Sequence, residues 1–180
     1  MSVFSNPAGR SAEHATAYTT AVLDLLGPAD PMRVLHDTPS ALSQGIEGLD
    51  AGQLSRPEAE RKWSIAQVLQ HLADSELVWG YRLRMVLAHD RPTITGYDQD
   101  LWATRLGYQE ADPQQAIDDF DVLRQANLRL LARASASDLT RVGVHAERGE
   151  ESVAHMIRLY AGHDVLHLKQ IARIRQVIAT

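Results

Sequence analysis

The chain has no cysteine among its 180 residues, and this absence excludes several classes of protein at once. Without thiolates there can be no zinc finger, no iron–sulfur cluster, no disulfide-stapled secreted scaffold and no cysteine nucleophile. The sequence also lacks an apolar run approaching the ~18 residues of a membrane span, and its first residues lack the apolar core of a signal peptide. We therefore expect a cytoplasmic protein that binds any metal through nitrogen and oxygen atoms.

Basic residues are also fewer than acidic residues. The chain has 18 lysines and arginines against 23 aspartates and glutamates, which gives a formal net charge of −5. Such a chain has no uncompensated positive field to attract phosphates. We therefore expect neither a nucleic acid nor an anionic membrane as a partner, and a small-molecule substrate fits better.

Strand signals are nearly absent, whereas helical periodicity runs through most of the chain. Polar loops are expected at residues 52–60 and 143–150, and a long connection at residues 93–110. Helices joined by loops, without strands, predict an antiparallel helix bundle. The predicted helices cover about residues 11–26, 30–49 (with a kink or break at Pro39), 64–88, 98–105, 112–135 and 152–178.

Histidine, by contrast, is plentiful, with eight in the chain. Two of them, His163 and His167, lie in the middle of the apolar stripe of the last predicted helix. Four positions correspond to 400° of rotation, so both rings lie on one face, one turn apart. Inside a bundle each neutral imidazole needs a partner for one donor and one acceptor, and a divalent metal would bind both rings. The pair alone is a weak signal, and hydrogen-bonded core histidines are the alternative.

A third histidine strengthens the metal hypothesis. His71 lies in the middle of the predicted helix 64–88, beside its apolar stripe, and bundles commonly build metal sites from mid-helix positions of facing helices. Three histidines leave coordination positions open for water or substrate, which is typical of a catalytic rather than a structural site. The other five lack a partner at ligand spacing and are weaker candidates: His14, His36, His89, His145 and His155.

Two parts of the sequence resemble the DinB/YfiT-like superfamily: residues 63–65 and 71–76 (WSI and HLADSE), and residues 162–171 (GHDVLHLKQI). Weaker similarity brings the coverage to about residues 30–175. The resemblance implies an all-α fold, an antiparallel four-helix bundle over residues 30–180. Residues 1–29 would form an N-terminal extension, which we expect to be helical.

The resemblance also implies a metal site. In this family three histidines hold a divalent metal, one from the second bundle helix and two, spaced H-x-x-x-H, from the last. His71, His163 and His167 occupy these positions, and nickel, zinc, iron or manganese would suit such a site. The family further suggests a homodimer.

Several activities follow from the resemblance. Members include transferases that use a low-molecular-weight thiol, such as bacillithiol or mycothiol, and hydrolases. Our first hypothesis is transfer of such a thiol to a small electrophile, and the observation behind it is the open three-histidine site. The absence of cysteine is compatible with it, because the thiol would come from a cosubstrate. The alternative is a metal-dependent hydrolase that uses metal-bound water. A non-catalytic binding module stabilised by metal is the second alternative.

Acidic and polar residues near the predicted ligands are candidates for supporting roles. Asp74 and Ser75 follow His71 by three and four positions and so share its face. Asp74 can orient an imidazole or a metal-bound water, or it can be a solvated carboxylate. Glu76 is expected to pair with Arg82 or another arginine rather than to touch the metal, and Asp164 is expected to form an ion pair inside the bundle.

The long connection offers candidates for the mouth of a pocket. Tyr97, Asp98 and Trp102 lie in it, and loops positioned by a rigid scaffold often carry binding residues. Packing in the core or exposure on the surface is the alternative for each of them.

Overall fold

The computed structural model describes residues 12–178, which form eight helices and one small three-stranded sheet. The helices are α1 (Ala12–Leu26), α2 (Pro31–Ile46), α3 (Ala51–Ser55), α4 (Ile65–Ala88), α5 (Gln99–Arg105), α6 (Pro113–Leu131), α7 (Ala136–Leu139) and α8 (Val153–Ile178). The strands are β1 (Thr93–Ile94), β2 (Val142–His145) and β3 (Gly149–Ser152). None of the helices within residues 12–178 is long and apolar enough to cross a membrane.

The starts of the long helices follow local sequence signals. Asp30 and Asp112 each cap a helix that begins with proline, and their carboxylates accept backbone N–H groups of the first turn. Ser64 and Gln67 form the predicted capping box at the start of α4.

Four long helices, α2, α4, α6 and α8, form the bundle around two clusters of apolar side chains. Helix α4 packs against α6 and α8, and α2 packs against the same two helices. One cluster joins the first halves of α4 and α6 to the second halves of α2 and α8, and the other joins the opposite halves. Helices α4 and α6 therefore run against α2 and α8. The predicted all-α antiparallel four-helix bundle is confirmed, with the antiparallel neighbours being α4 with α8 and α2 with α6.

Helix α1 lies outside the bundle and packs along α8. The two helices approach closely at Gly162, where a Cβ atom would lie 2.4 Å from the carbonyl oxygen of Val22. The predicted helical N-terminal segment is therefore present over Ala12–Leu26. Residues 1–11 of the predicted extension lie outside the described residues, as do residues 179–180.

The prediction of a loop at residues 143–150 is wrong, because this segment forms most of a hairpin. Strand β2 pairs antiparallel with β3, so that His145 lies opposite Gly149, and β1 adds to β2 in parallel. Each hairpin strand has only four residues, too few for a clear alternating pattern, and the turn contains neither Asn-Gly nor Asp-Gly. Gly149, with φ of 77°, supplies the left-handed residue of the turn.

Three further features differ from the prediction. Helix α2 is not interrupted at Pro39, although proline cannot donate to the carbonyl four residues earlier, that of Leu35. The guanidinium of Arg124 donates to this carbonyl instead, at 2.7 Å. The expected polar loop 52–60 begins with the short helix α3, and α6 ends at Leu131 because Ser135 caps a separate helix, α7.

Candidate metal centre

Three histidine side chains from two helices meet inside the bundle. His71 comes from α4, whereas His163 and His167 lie one turn apart on α8. The Nε2 atom of His163 is 3.2 Å from that of His71 and 3.1 Å from that of His167. The structure thus brings the three predicted ligands together, because antiparallel packing puts the middle of α8 beside the first half of α4.

The separations between these nitrogens suit a shared metal ion. Imidazole nitrogens bind zinc at about 2.0–2.1 Å, so two of them on one ion lie roughly 2.9–3.4 Å apart in octahedral or tetrahedral arrangements. Both measured separations fall within this range. One ligand atom from each histidine lies within 4.8 Å of the others. The donor set therefore fits a divalent cation of the type that binds imidazole.

The three rings are neutral, as metal ligation requires. Burial lowers the pKa of His167 to about 4. It also lowers the pKa of His71 and of His163 well below the ordinary value, and the neighbouring rings add to both shifts. A metal therefore does not have to displace a proton from these nitrogens near neutral pH.

Two hydrogen-bonding groups orient the cluster. The Nδ1 atom of His167 lies 2.8 Å from the side-chain oxygen of Gln170, which can only accept, so Nδ1 carries the proton and Nε2 presents a lone pair. The hydroxyl oxygen of Ser75 lies 3.4 Å from Nε2 of His71 and 2.7 Å from the hydroxyl of Tyr97. Ser75 therefore contacts the cluster, in the position expected four residues after His71.

Asp74 shares the face of His71 but contacts other groups. Its carboxylate accepts hydrogen bonds from the hydroxyl of Tyr108 and, at 3.3 Å, from the side-chain amide of Gln70. Tyr108 is a buried residue of the connection after α5. Neither contact is to an imidazole of the site, so these hydrogen bonds do not place Asp74 to orient His71.

The three candidates from the long connection have different positions. Tyr97 lines the pocket beside His71. Asp98 caps α5 by accepting the amides of Asp100 and Leu101. Trp102 packs against the ring of Tyr97, with ring centroids 4.5 Å apart, and does not line this pocket itself.

A pocket opens beside His71 and His163, and most of its polar lining was not predicted from the sequence. Tyr160 precedes His163 by three residues and Arg82 follows Ser75 by seven, so helical spacing could have placed both on the site's side of their helices. His145 lies in a segment that the sequence predicts to be a loop. These unpredicted polar lining residues are Tyr18, Arg82, Gln99, His145, Glu147, Arg148 and Tyr160.

A buried ion network lies next to the histidines. Arg124 of α6 donates to the carboxylates of Glu76 and Asp164, at 2.8 and 2.7 Å, and no part of its side chain is exposed. Asn127 donates to the second oxygen of Glu76. Both carboxylates therefore form ion pairs inside the bundle, as predicted, but the partner of Glu76 is Arg124 and not Arg82. With its bond to the carbonyl of Leu35, Arg124 contacts all three of the other bundle helices.

Comparisons with known sequences agree with this geometry. Residues 34–171 match the family described as the DinB superfamily. Proteins from Bacillus mycoides (strain KBAB4) and Bacillus cereus (strain B4264), each named "Putative metal-dependent hydrolase", are 30% identical to this chain over 142 residues. These alignments cover 79% of this chain and 82% of each relative.

A solved structure is similar in fold. YfiT from Bacillus subtilis is described as "a probable metal-dependent hydrolase with an unusual four-helix bundle topology". It matches this chain with a TM-score of 0.74 and 25% sequence identity, over 81% of this chain and 86% of YfiT.

Proposed function

The chain belongs to the DinB superfamily, and on that premise we propose that it is a metal-dependent hydrolase in which His71, His163 and His167 hold a divalent cation. The observation that carries the proposal is the convergence of three neutral imidazole nitrogens at separations that suit one ion. The names of the Bacillus relatives support it. Zinc, nickel, iron(II) and manganese are the candidate ions.

The protein residues around the site have separable tasks. When bound, a divalent cation with open positions lowers the pKa of a coordinated water or thiol and polarises a substrate carbonyl. Gln170 fixes the orientation of His167, and the hydroxyl pair of Ser75 and Tyr97 lies against His71. Because His71 and His163 also line the pocket, a small molecule bound there is within reach of the site.

Thiol transfer to a small electrophile is the second candidate, and one observation favours it. Among the pocket-lining residues in the described part of the chain, Glu147 alone carries a carboxylate, and it is half-buried at the hairpin turn. A hydrolase often uses a carboxylate as general base, whereas a thiol with pKa near ~8.5 ionises readily on a metal without one. The thiol would come from a cosubstrate, since the chain has no cysteine.

Metal content tests the proposed ligands. We expect the purified protein to contain about one equivalent of a divalent metal by elemental analysis, and His163→Ala to lose it. His155→Ala is the matched control, because His155 lies on the same helix but outside the cluster. Equal metal content in the wild type and in the Ala variants of all three site histidines would overturn the site.

Turnover distinguishes the candidate reactions. The metal-loaded protein is tested on nitrophenyl esters and amides without thiol, and on monochlorobimane with bacillithiol or mycothiol. Thiol-independent cleavage that is lost in His163→Ala supports the hydrolase. Turnover only with thiol supports transfer and rejects hydrolysis. No turnover in either assay, with loss of folding on chelation, indicates a binding module stabilised by metal.

A further inference from the structure

Three residues that line the pocket beside the histidine cluster have a buried nitrogen without a hydrogen-bond partner in the described chain: Arg82 Nε, His145 Nε2 and His71 Nδ1. His71 belongs to the metal site, which leaves Arg82 of α4 and His145 of β2. Buried polar groups in proteins are almost always hydrogen-bonded, so two orphans in one pocket indicate a ligand. We propose that the pocket binds a small molecule through a carboxylate that accepts hydrogen bonds from Arg82 and His145.

Arg82 is a buried cation without an acidic partner among the described residues. Its side chain is 6% exposed. One terminal nitrogen donates to the hydroxyl of Tyr160 at 3.2 Å and the other to the carbonyl of Thr95 at 2.6 Å, while Nε has no acceptor in residues 12–178. Both acceptors are neutral oxygens. A buried guanidinium without a counter-charge is costly, and an anionic ligand would compensate it.

His145 presents a single unused donor. The residue is 2% exposed, and its Nδ1 accepts the backbone N–H of Glu147 at 3.2 Å. Burial lowers the pKa of His145 to about 4, so the ring is neutral at pH 7 and its one proton is on Nε2. Nε2 has no hydrogen-bond partner within the described chain. The ring is thus fixed as a donor that faces no protein acceptor.

Two tyrosines and a second arginine of the pocket also favour an acceptor-rich ligand, whereas Glu147 is the one acidic residue of its described lining. Burial raises the pKa of Tyr18 to about 12 and raises that of Tyr160 as well, so both hydroxyls keep their protons. Arg148 adds a second guanidinium, although its ion pair with Glu151 compensates much of that charge. A carboxylate has two oxygens, so one group can accept from both N–H donors. The aromatic rings supply the apolar contacts for the rest of a small molecule.

This inference deepens the proposed function by naming its substrate class, and it is tested by binding rather than by turnover. The probes are benzoate and benzamide, which have nearly the same shape and differ in charge. Calorimetry on the protein as purified should show benzoate binding at least about tenfold more tightly than benzamide, because hydrogen bonds to charged groups are worth about that much. Since a carboxylate can also bind a metal directly, the titration is repeated after chelation, and we expect the preference to persist.

Variants assign the preference to the two donors. His145→Phe and Arg82→Met should each weaken benzoate binding about tenfold or more and weaken benzamide binding much less, because the benzamide carbonyl is a neutral acceptor. His145→Gln keeps an N–H donor and should retain most of the binding, which separates loss of the donor from loss of the fold. Arg105→Met is the control for charge, because Arg105 is exposed on α5 and outside the pocket.

Three results would overturn the inference: equal affinity of the wild type for benzoate and benzamide, benzoate binding that is unchanged in both His145→Phe and Arg82→Met, or tighter binding of phenyl phosphate than of benzoate. Each leaves the metal site untouched, since metal content depends on His71, His163 and His167. The opposite combination is also informative. If the variants of the three site histidines keep their metal, the proposed function is rejected. If the preference for benzoate still depends on Arg82 and His145 in that protein, this inference is retained.

Discussion

Replacing Arg124 with Met is expected to lower the free energy of unfolding by roughly 3–5 kcal/mol. The guanidinium is fully buried and donates to both oxygens of Asp164, at 2.7 and 3.2 Å, to Glu76 at 2.8 Å and to the carbonyl of Leu35 at 2.7 Å. Met fills similar volume but leaves two buried carboxylates without a cation. Breaking a buried ion pair from one side is costly for this reason.

The same geometry sets the direction of two companion effects. The carbonyl of Leu35 receives no helical hydrogen bond from Pro39, so it loses its donor when Arg124 is removed. An unsatisfied buried acceptor costs about 1–3 kcal/mol. Protonation limits the total, because burial already raises the pKa of Glu76 and the carboxyl can take up a proton when the arginine is gone. We therefore expect a loss within the stated range rather than the full sum of the separate contributions.

Urea denaturation of the metal-free protein, followed by far-UV circular dichroism, measures this loss. Arg173→Met is the control: Arg173 forms an equally short two-point bond to Glu58, at 2.7 and 2.8 Å, but its side chain is 58% exposed. That variant should lose less than about 1 kcal/mol. Adding Glu76→Gln and Asp164→Asn to Arg124→Met removes the unpaired charges and should restore more than half of the loss. A loss below about 1 kcal/mol in Arg124→Met would refute the reasoning.

Two more perturbations test the docking of α1 and the neutrality of the histidines. Gly162→Ala puts a Cβ atom 2.4 Å from the backbone oxygen of Val22, which cannot move without moving α1. We therefore expect the free energy of unfolding to fall by about 1–3 kcal/mol and proteolysis of α1 to become faster. Gly45→Ala is the control, because its Cβ atom meets only the methyl group of Ile171, at 3.3 Å, and should be nearly neutral. Because the pKa of His167 is about 4 in the folded chain against 6.5 in the unfolded one, the unfolded state binds more protons between these values. The stability of the metal-free protein should therefore fall as pH decreases through this window, and a flat urea midpoint would contradict the neutral rings.

The histidine cluster could be predicted because helix geometry puts His163 and His167 on one face and the resemblance to the DinB/YfiT-like superfamily adds His71 as the third ligand. His163 and His167 are four residues apart, and His71 lies mid-helix in the only other strongly apolar helix of comparable length. The choice between Asp74 and Ser75 could not be made in this way, because both share the face of His71. Tyr108, which lies more than thirty positions further along the chain, donates a hydrogen bond to the carboxylate of Asp74, whereas Ser75 contacts the cluster.

The residues that line the pocket could not be predicted from the sequence, for a different reason. His145 belongs to a hairpin whose strands are too short to give a pattern, and its approach to Arg82 and Tyr160 depends on tertiary packing. The ion pairs of Glu76 and Asp164 were expected, but the partner was not identified as Arg124. A guanidinium in an amphipathic helix is normally solvent-exposed, and nothing local in the sequence of α6 marks this one as buried.

The ion network and the histidine cluster are electrostatically matched. Glu76 directly follows Ser75 and Asp164 directly follows His163, so the two carboxylates lie one position along the chain from residues of the site. Two carboxyl groups thus share the single positive charge of Arg124, in surroundings where charges interact strongly. A divalent cation on the three neutral imidazoles would add positive charge beside these carboxyl groups. Arg124 in turn helps to keep the pKa of His163 low, so the same residue holds the carboxylates and keeps a ligand nitrogen free of its proton.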